Sequence, residues 1–216
     1  MNQLKSKPQQ AYELDHNIDR VEEQPSEWIE EWGTADVKLI GELAKNDSFD
    51  MIFDKPELIK SIDEIKMEGL LCDFEGIDYL YTEPRLPVMS KRMLYILRAV
   101  RDFPHQAIPV VIEDMEMARE SLTERSGKIN TNYVALQLLE QFNIFDREKS
   151  IYEPSFINPN NVGRIEKLVF KVPEKGLPPI FRIIDKPTRL YVSPEAKIAL
   201  EEAKITGIRF VPIDFD

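Results

Sequence analysis

One cysteine, two histidines and eight glycines in 216 residues leave few ways to assemble a familiar active site. Cys72 alone excludes an internal disulfide and suits a reducing compartment. With no histidine near it, the thiol reads as a small buried apolar side chain rather than a nucleophile. His16 and His105 would both be consumed by a two-histidine metal site, and neither has a chelating partner three or four residues on. No GxSxG elbow, HExxH helix, CxxC pair or Walker-type loop occurs. So few glycines also argue against a backbone cradle for phosphate. The expectation is therefore no enzyme, with no catalytic, cofactor-binding or metal-ligating residues. Long apolar runs are missing as well: 107–112, AIPVVI, is far too short to span a bilayer. The first ten residues are polar and no apolar h-region follows, so no secretory leader and a cytoplasmic location are expected.

What is present is charge, unevenly spread. The apolar fraction of 43% and charged fraction of 31% are those of a globular protein of one large or two small domains. Residues 1–86 carry 9 Lys/Arg against 21 Asp/Glu, whereas 87–216 carry 19 against 18, so the net −11 arises wholly in the first part. Such a field keeps a protein soluble. It also repels nucleic acid and anionic membranes and draws in basic partners. Arg119, Arg125 and Lys128 are interleaved with acids, so no nucleic-acid stripe emerges. Carboxylate clusters at Asp73/Glu75, Glu113/Asp114/Glu116 and Asp214/Asp216 could do acid–base work or simply form solvated faces. The run 113–120 follows a predicted strand, where a loop could carry a site, and Met115 and Met117 within it could serve as adaptable contacts or core filler.

Along the chain, 1–9 reads as a disordered tail, 10–85 as an acidic N-terminal region, and 86–216 as a core packed with it in one domain. Tyr12–Leu14 begins a strand. Ser26 caps a short helix over 27–32 that sets Trp28 and Trp32 on one face. Residues 51–53 and 77–81 read as strand fragments. Ser90 then caps a helix with an apolar stripe of Met93, Leu94, Ile96, Leu97 and Val100, ended by Pro104 and followed by a strand over 107–112. The plan recurs. Laid over itself at an offset of 103, the chain puts Ser90 on Ser193, Leu97 on Leu200 and Pro109 on Pro212 without a gap. Ser193 is the second cap, Pro194 suits the first helical position, Ile198, Leu200 and Ala203 supply apolar positions, and Gly207 breaks the helix before a strand over 208–213. Pro109 and Pro212 inside those strands argue for edges or bulges. Between the units, part of 132–145 reads as a strand, 154–162 as a loop, and 165–172 and 179–184 as strands. The mixture is α+β, with mixed or antiparallel sheets, a few short helices, and two similar strand–helix–strand units near 86–112 and 189–213.

Five phrases carry a likeness: LPVMSKRMLYIL at 86–97, the region 132–150 with Tyr133 and FDREKS, IEKLVFK at 165–171, PIFRI at 179–183, and LYVSPEAKIALEEAKITGIRFVPI at 190–213. The pattern SxxxKxAxExAxxTGIxFxP in the last is the most specific. On these residues, over about 75–213, the chain resembles the bacterial polymorphic-toxin immunity proteins of family eleven, formerly a domain of unknown function. The resemblance implies a cytoplasmic antidote in bacterial competition, which binds a cognate protein toxin and blocks it by stoichiometric occlusion. It brings no catalytic motif. An acidic surface would suit a basic toxin, and the residues expected to form it are Glu22, Glu23, Glu27, Glu30 and Glu31, with Glu113, Asp114, Glu116 and Glu120. The alternatives are a carboxylate-dependent hydrolase or transferase, and an acidic adaptor that uses its N-terminal third to hold a basic protein. No membrane or nucleic-acid partner is expected.

Overall fold

The computed structural model describes residues 11–17, 36–46, 48–70, 74–118, 121–156, 158–159, 161–171 and 173–215, with side chains omitted for 116–127 and 215. In chain order the strands and helices begin with β1 (Ala11–His16), β2 (Val37–Leu39), β3 (Ile65–Gly69), β4 (Thr82–Glu83), β5 (Val88–Ser90) and helix α1 (Lys91–Val100). Then come β6 (His105–Ala118), β7 (Ser121–Leu138), β8 (Gln141–Phe142), β9 (Ile151–Pro154), β10 (Val162–Lys167) and β11 (Val169–Phe170). The chain closes with β12 (Ile180–Ile183), β13 (Lys186–Val192), helix α2 (Pro194–Glu202) and β14 (Ile208–Phe215). One six-stranded sheet has the order β4-β2-β3-β6-β7-β5 and the other β11-β14-β1-β13-β12-β8, while β9 and β10 pair alone. The fold is α+β with mixed sheets.

The offset of 103 is a repeat in space. In the first unit β7 lies antiparallel between β5 and β6, and Val134 joins Met89 and Pro109 in one rung. In the second, β1 lies antiparallel between β13 and β14, and Tyr12 joins Val192 and Pro212. Met89 and Val192 differ by 103 positions, as do Pro109 and Pro212. Each unit is thus two parallel strands joined by a helix with a third strand inserted between them, and the inserted strand of the second unit comes from the far end of the chain. The two helices pack on each other, and Met93, Leu94, Leu97, Ala196 and Leu200 join inward residues of both sheets in one apolar cluster. Separate clusters cover the outer faces: one with Phe49, Phe53 and Phe74, the other with Phe170, Phe181 and Tyr191.

Local chemistry explains the helix ends. Ser90 Oγ accepts from Met93 N at 3.0 Å and Ser193 Oγ from Ala196 N at 3.2 Å, with Pro194 in the first turn. Helix α2 closes in a Schellman turn: Ile205 N donates to Leu200 O and Lys204 N to Glu201 O, with Lys204 at φ +54° where glycine is usual. Gly207 follows at φ +79°, and a Cβ there would stand 2.4 Å from Tyr79 O. Among the described residues Pro109 and Pro212 are locally at edges, because β3 flanks β6 only from Val110 onward and β11 flanks β14 only from Asp214. A proline nitrogen on that side deprives no neighbour of a donor.

Several expectations are corrected. Residues 51–53 are not a strand: Phe49–Asp54 is a 3₁₀ segment, held by amide groups from elsewhere in the chain. Gln137 Nε2 donates to Lys55 O and to Glu57 O at 3.0 Å, and Gln141 Nε2 donates to Asp54 O at 2.5 Å. Residues 77–81 contribute only an isolated bridge, Tyr79 to Met89. The run 113–118 is strand rather than loop. Ile198 is 54% exposed, so the buried stripe of α2 is Ala196 and Leu200. The tail 1–9, the helix over 27–32 with Trp28 and Trp32, and Cys72 lie outside the described residues.

The two units are tied together at Asp78, which is 5% exposed. Its carboxylate accepts from Ser90 Oγ at 2.6 Å, Arg92 Nε at 3.2 Å, Arg92 Nη2 at 2.6 Å and Thr206 N at 3.1 Å. Arg92 also donates to Ala203 O and Lys204 O at the end of α2. Burial alone would raise the Asp78 pKa, but the donors from Arg92, Ser90 and Thr206 outweigh it and hold it below the ordinary carboxylate value. A depressed folded-state pKa gives stability that is complete above the unfolded value and lost as pH falls through the folded one. Asp78→Asn should lower unfolding free energy near neutral pH by about 2–3 kcal/mol. Urea titrations should show that deficit shrinking below about pH 3.9; a deficit independent of pH would remove the charge from the account.

Candidate functional site

Strands β6 and β7 are 14 and 18 residues long, and most of their outer length has no other strand beside it among the described residues. β3 flanks β6 from Val110 to Asp114, and β5 flanks β7 only from Tyr133 to Ala135. Beyond those rungs the register runs through Met115↔Arg125 and Glu116↔Glu124 to Ala118↔Ser121, and among the described residues no third strand joins it. The result is a two-stranded arm whose edges carry no further strand among the described residues. Three register shifts all add residues to β7, which bends and twists such a ribbon. A lone hairpin is marginally stable in water, and its unpaired N–H and C=O groups are ready to bond another chain.

The expected acidic surface is divided by this geometry. Glu113, Asp114 and Glu116 fall on β6 at the root and along the arm. Glu113 is half-buried and Asp114 only 6% exposed, so Asp114 offers little to a partner. Successive strand residues face opposite sides of a sheet, so Glu113 and Asp114 do not make a catalytic pair. Opposite Glu113, Ile129 is 62% exposed, an apolar contact point that charge counting missed. Glu120 and the five N-terminal glutamates, Glu22, Glu23, Glu27, Glu30 and Glu31, lie outside the described residues, as do Asp73 and Asp216. Glu75 is exposed, and Asp214 faces Lys167 at 3.9 Å across the surface. Among the described residues no group of three His, Cys, Asp or Glu is placed to hold a metal ion. No helix among them is long and apolar enough to cross a membrane.

A second feature is invisible in the sequence. A cavity of about 550 Å³ opens between the two sheets, with β1, β12 and β13 on one side and the 3₁₀ segment and residues 79–87 on the other. Arg182, 4% exposed, enters it from β12; its Nη1 donates to Asp54 Oδ1 at 3.2 Å and to Pro187 O. His16 stacks on Tyr79 at 4.4 Å between ring centroids, and its Nε2 lies 3.0 Å from Leu80 O. Burial raises the Asp54 pKa, Arg182 lowers it and Asp50 raises it, leaving it above the ordinary value. Burial conversely lowers the Arg182 pKa, against the pull of Asp54. The lining is drawn from separate stretches between Glu13 and Leu190, so no local pattern announces it.

No family model matches this chain, and no curated protein matches it either.

Asp54 and Asp78 should respond to pH in opposite senses. A raised folded-state pKa makes the folded form the better proton binder, so stability falls as pH rises from the unfolded value through the folded one. The unfolding free energy of the wild type minus that of Asp54→Asn should therefore decline with pH just above about 3.9, whereas for Asp78→Asn the same difference should grow with pH below about 3.9 and level off above it. Parallel urea series at stepped pH check this; equal slopes would contradict the burial of Asp54.

Proposed function

We propose that this protein neutralises a protein toxin by stoichiometric binding, with the β6–β7 arm as its contact surface. The observation that carries the reading is the arm itself, a ribbon whose two edges have no partner strand among the described residues beyond β3 and β5. A toxin segment can add to an open edge through main-chain hydrogen bonds, with side chains such as Ile129 giving selectivity. From 113 to 124 the sequence holds five acids and one base, which favours a basic partner. The immunity-family resemblance supplies the biological setting, a cytoplasmic antidote in bacterial competition. The likeness and the arm point the same way, since neither calls for chemistry on the bound partner.

The adaptor alternative places binding in the acidic N-terminal third. Deleting 1–35 cannot test it, because β1 sits between β13 and β14 and would be lost with the deletion. Replacing Glu22, Glu23, Glu27, Glu30 and Glu31 by glutamine leaves β1 intact; loss of binding in that variant with an intact arm would favour the adaptor reading. The hydrolase or transferase alternative has no described carboxylate pair from the sequence clusters to rest on.

Co-expression with a candidate toxin gene, sought first beside this one, is the direct test. Excising 115–128 and closing β6 on β7 with Asn-Gly should leave a cooperatively unfolding protein that no longer protects cells. Full protection by the excised form would exclude the arm as the contact surface. Charge steering also predicts that the association rate falls steeply as salt rises through 0.15 M, where screening acts beyond about 8 Å. A rate indifferent to salt would remove electrostatics while leaving the contact surface in place.

A further inference from the structure

We propose that the cavity between the two sheets binds a small organic anion, a carboxylate or a phosphate ester, on the unoccupied edge of Arg182. A guanidinium presents five N–H donors in a rigid fork. In Arg182 only Nη1 is engaged, by Asp54 Oδ1 and Pro187 O. Nε is buried without an acceptor, and no described residue accepts from Nη2. These two nitrogens form the side-on edge of the fork, whose parallel N–H bonds match two oxygens of one carboxylate or phosphate. A buried cation with unmet donors is costly, so an occupant that fills that edge is strongly favoured.

The surrounding charge agrees. Of the four acids lining the cavity, Glu13 is held by Arg189 at 2.6 Å, Asp15 by Arg209 at 2.7 Å and Asp54 by Arg182, which leaves Asp50. Two lining cations have no carboxylate within ion-pair distance among the described residues. Arg85 donates to Tyr81 Oη at 3.2 Å and lies over that ring, while Lys186 reaches only Gly163 O at 3.4 Å. Two unpaired cations against one unpaired acid favour an anion, and the volume of about 550 Å³ suits a metabolite-sized guest. The cavity draws on β1, β12 and β13 and not on the arm, so this site is independent of the toxin-binding reading.

The test uses the full chain in thermal unfolding, titrated separately with sodium phosphate and sodium succinate, each against sodium chloride of equal ionic strength. A saturable rise in Tm with either anion, beyond the chloride control, is expected; which anion gives it identifies the ligand class. Arg182→Lys keeps the charge but loses the fork, and should abolish the rise. Lys186→Gln alters only the rim, so it remains informative if Arg182→Lys does not fold, and should shift the titration midpoint several-fold upward. No rise beyond chloride with either anion, or an undiminished rise and unchanged midpoint in Lys186→Gln, would overturn the proposal.

Discussion

The carboxylate of Asp78 takes donors from the start of one helix and from the turn after the other, and much of the architecture hangs on that junction. Ser90 both caps α1 and donates to Asp78, so the position of α1 and the junction are set by one hydroxyl. Thr206 donates through its backbone nitrogen, and its hydroxyl also reaches Gly76 O at 2.6 Å, which fixes the loop that carries Asp78. Arg92 spans from Asp78 to the last carbonyls of α2. Removing one partner from such a buried charged cluster leaves the others unsatisfied, which is why its loss costs more than a single surface ion pair. The junction fixes how the two strand–helix–strand units meet, and therefore where the inter-sheet cavity lies.

The specific closing pattern of the sequence is accounted for almost residue by residue as scaffold. Ser193 caps α2. Lys197 pairs with Glu201 at 2.5 Å and lies over Tyr12 and Phe210. Thr206 serves the Asp78 junction, Gly207 lets the chain pass close to Tyr79, and Pro212 stands at a locally open strand edge. Caps, helix faces and the repeat follow from neighbours close in sequence or from backbone rules, and that is why the amino-acid sequence alone makes them legible.

What is not legible depends on distant partners. Nothing in AYELDH says that it will lie between β13 and β14, because strand order is set by remote contacts such as those of Tyr12 with Val192 and Pro212. Phe49–Asp54 has the apolar content of a strand but forms a 3₁₀ segment whose Ile52 and Asp54 carbonyls accept from Gln137 Nε2 and Gln141 Nε2. The acids of 113–118 read as a loop because a run of charge so often marks a solvated face, whereas the backbone there pairs with β7. Arg182 and Asp54 meet across 128 positions, so a buried ion pair looks in the sequence like two unrelated charges.

Two features with different chemistry result: an arm whose backbone edges carry no further strand among the described residues, and a cavity holding a buried guanidinium. The arm carries the functional account. Amide hydrogen exchange, measured on the full chain with and without a basic protein toxin against which it protects cells, tests that account residue by residue. Slowed exchange at 115–118 and 121–130 in the complex is the expected result; unchanged exchange there, with protection confined to other parts of the chain, would contradict it.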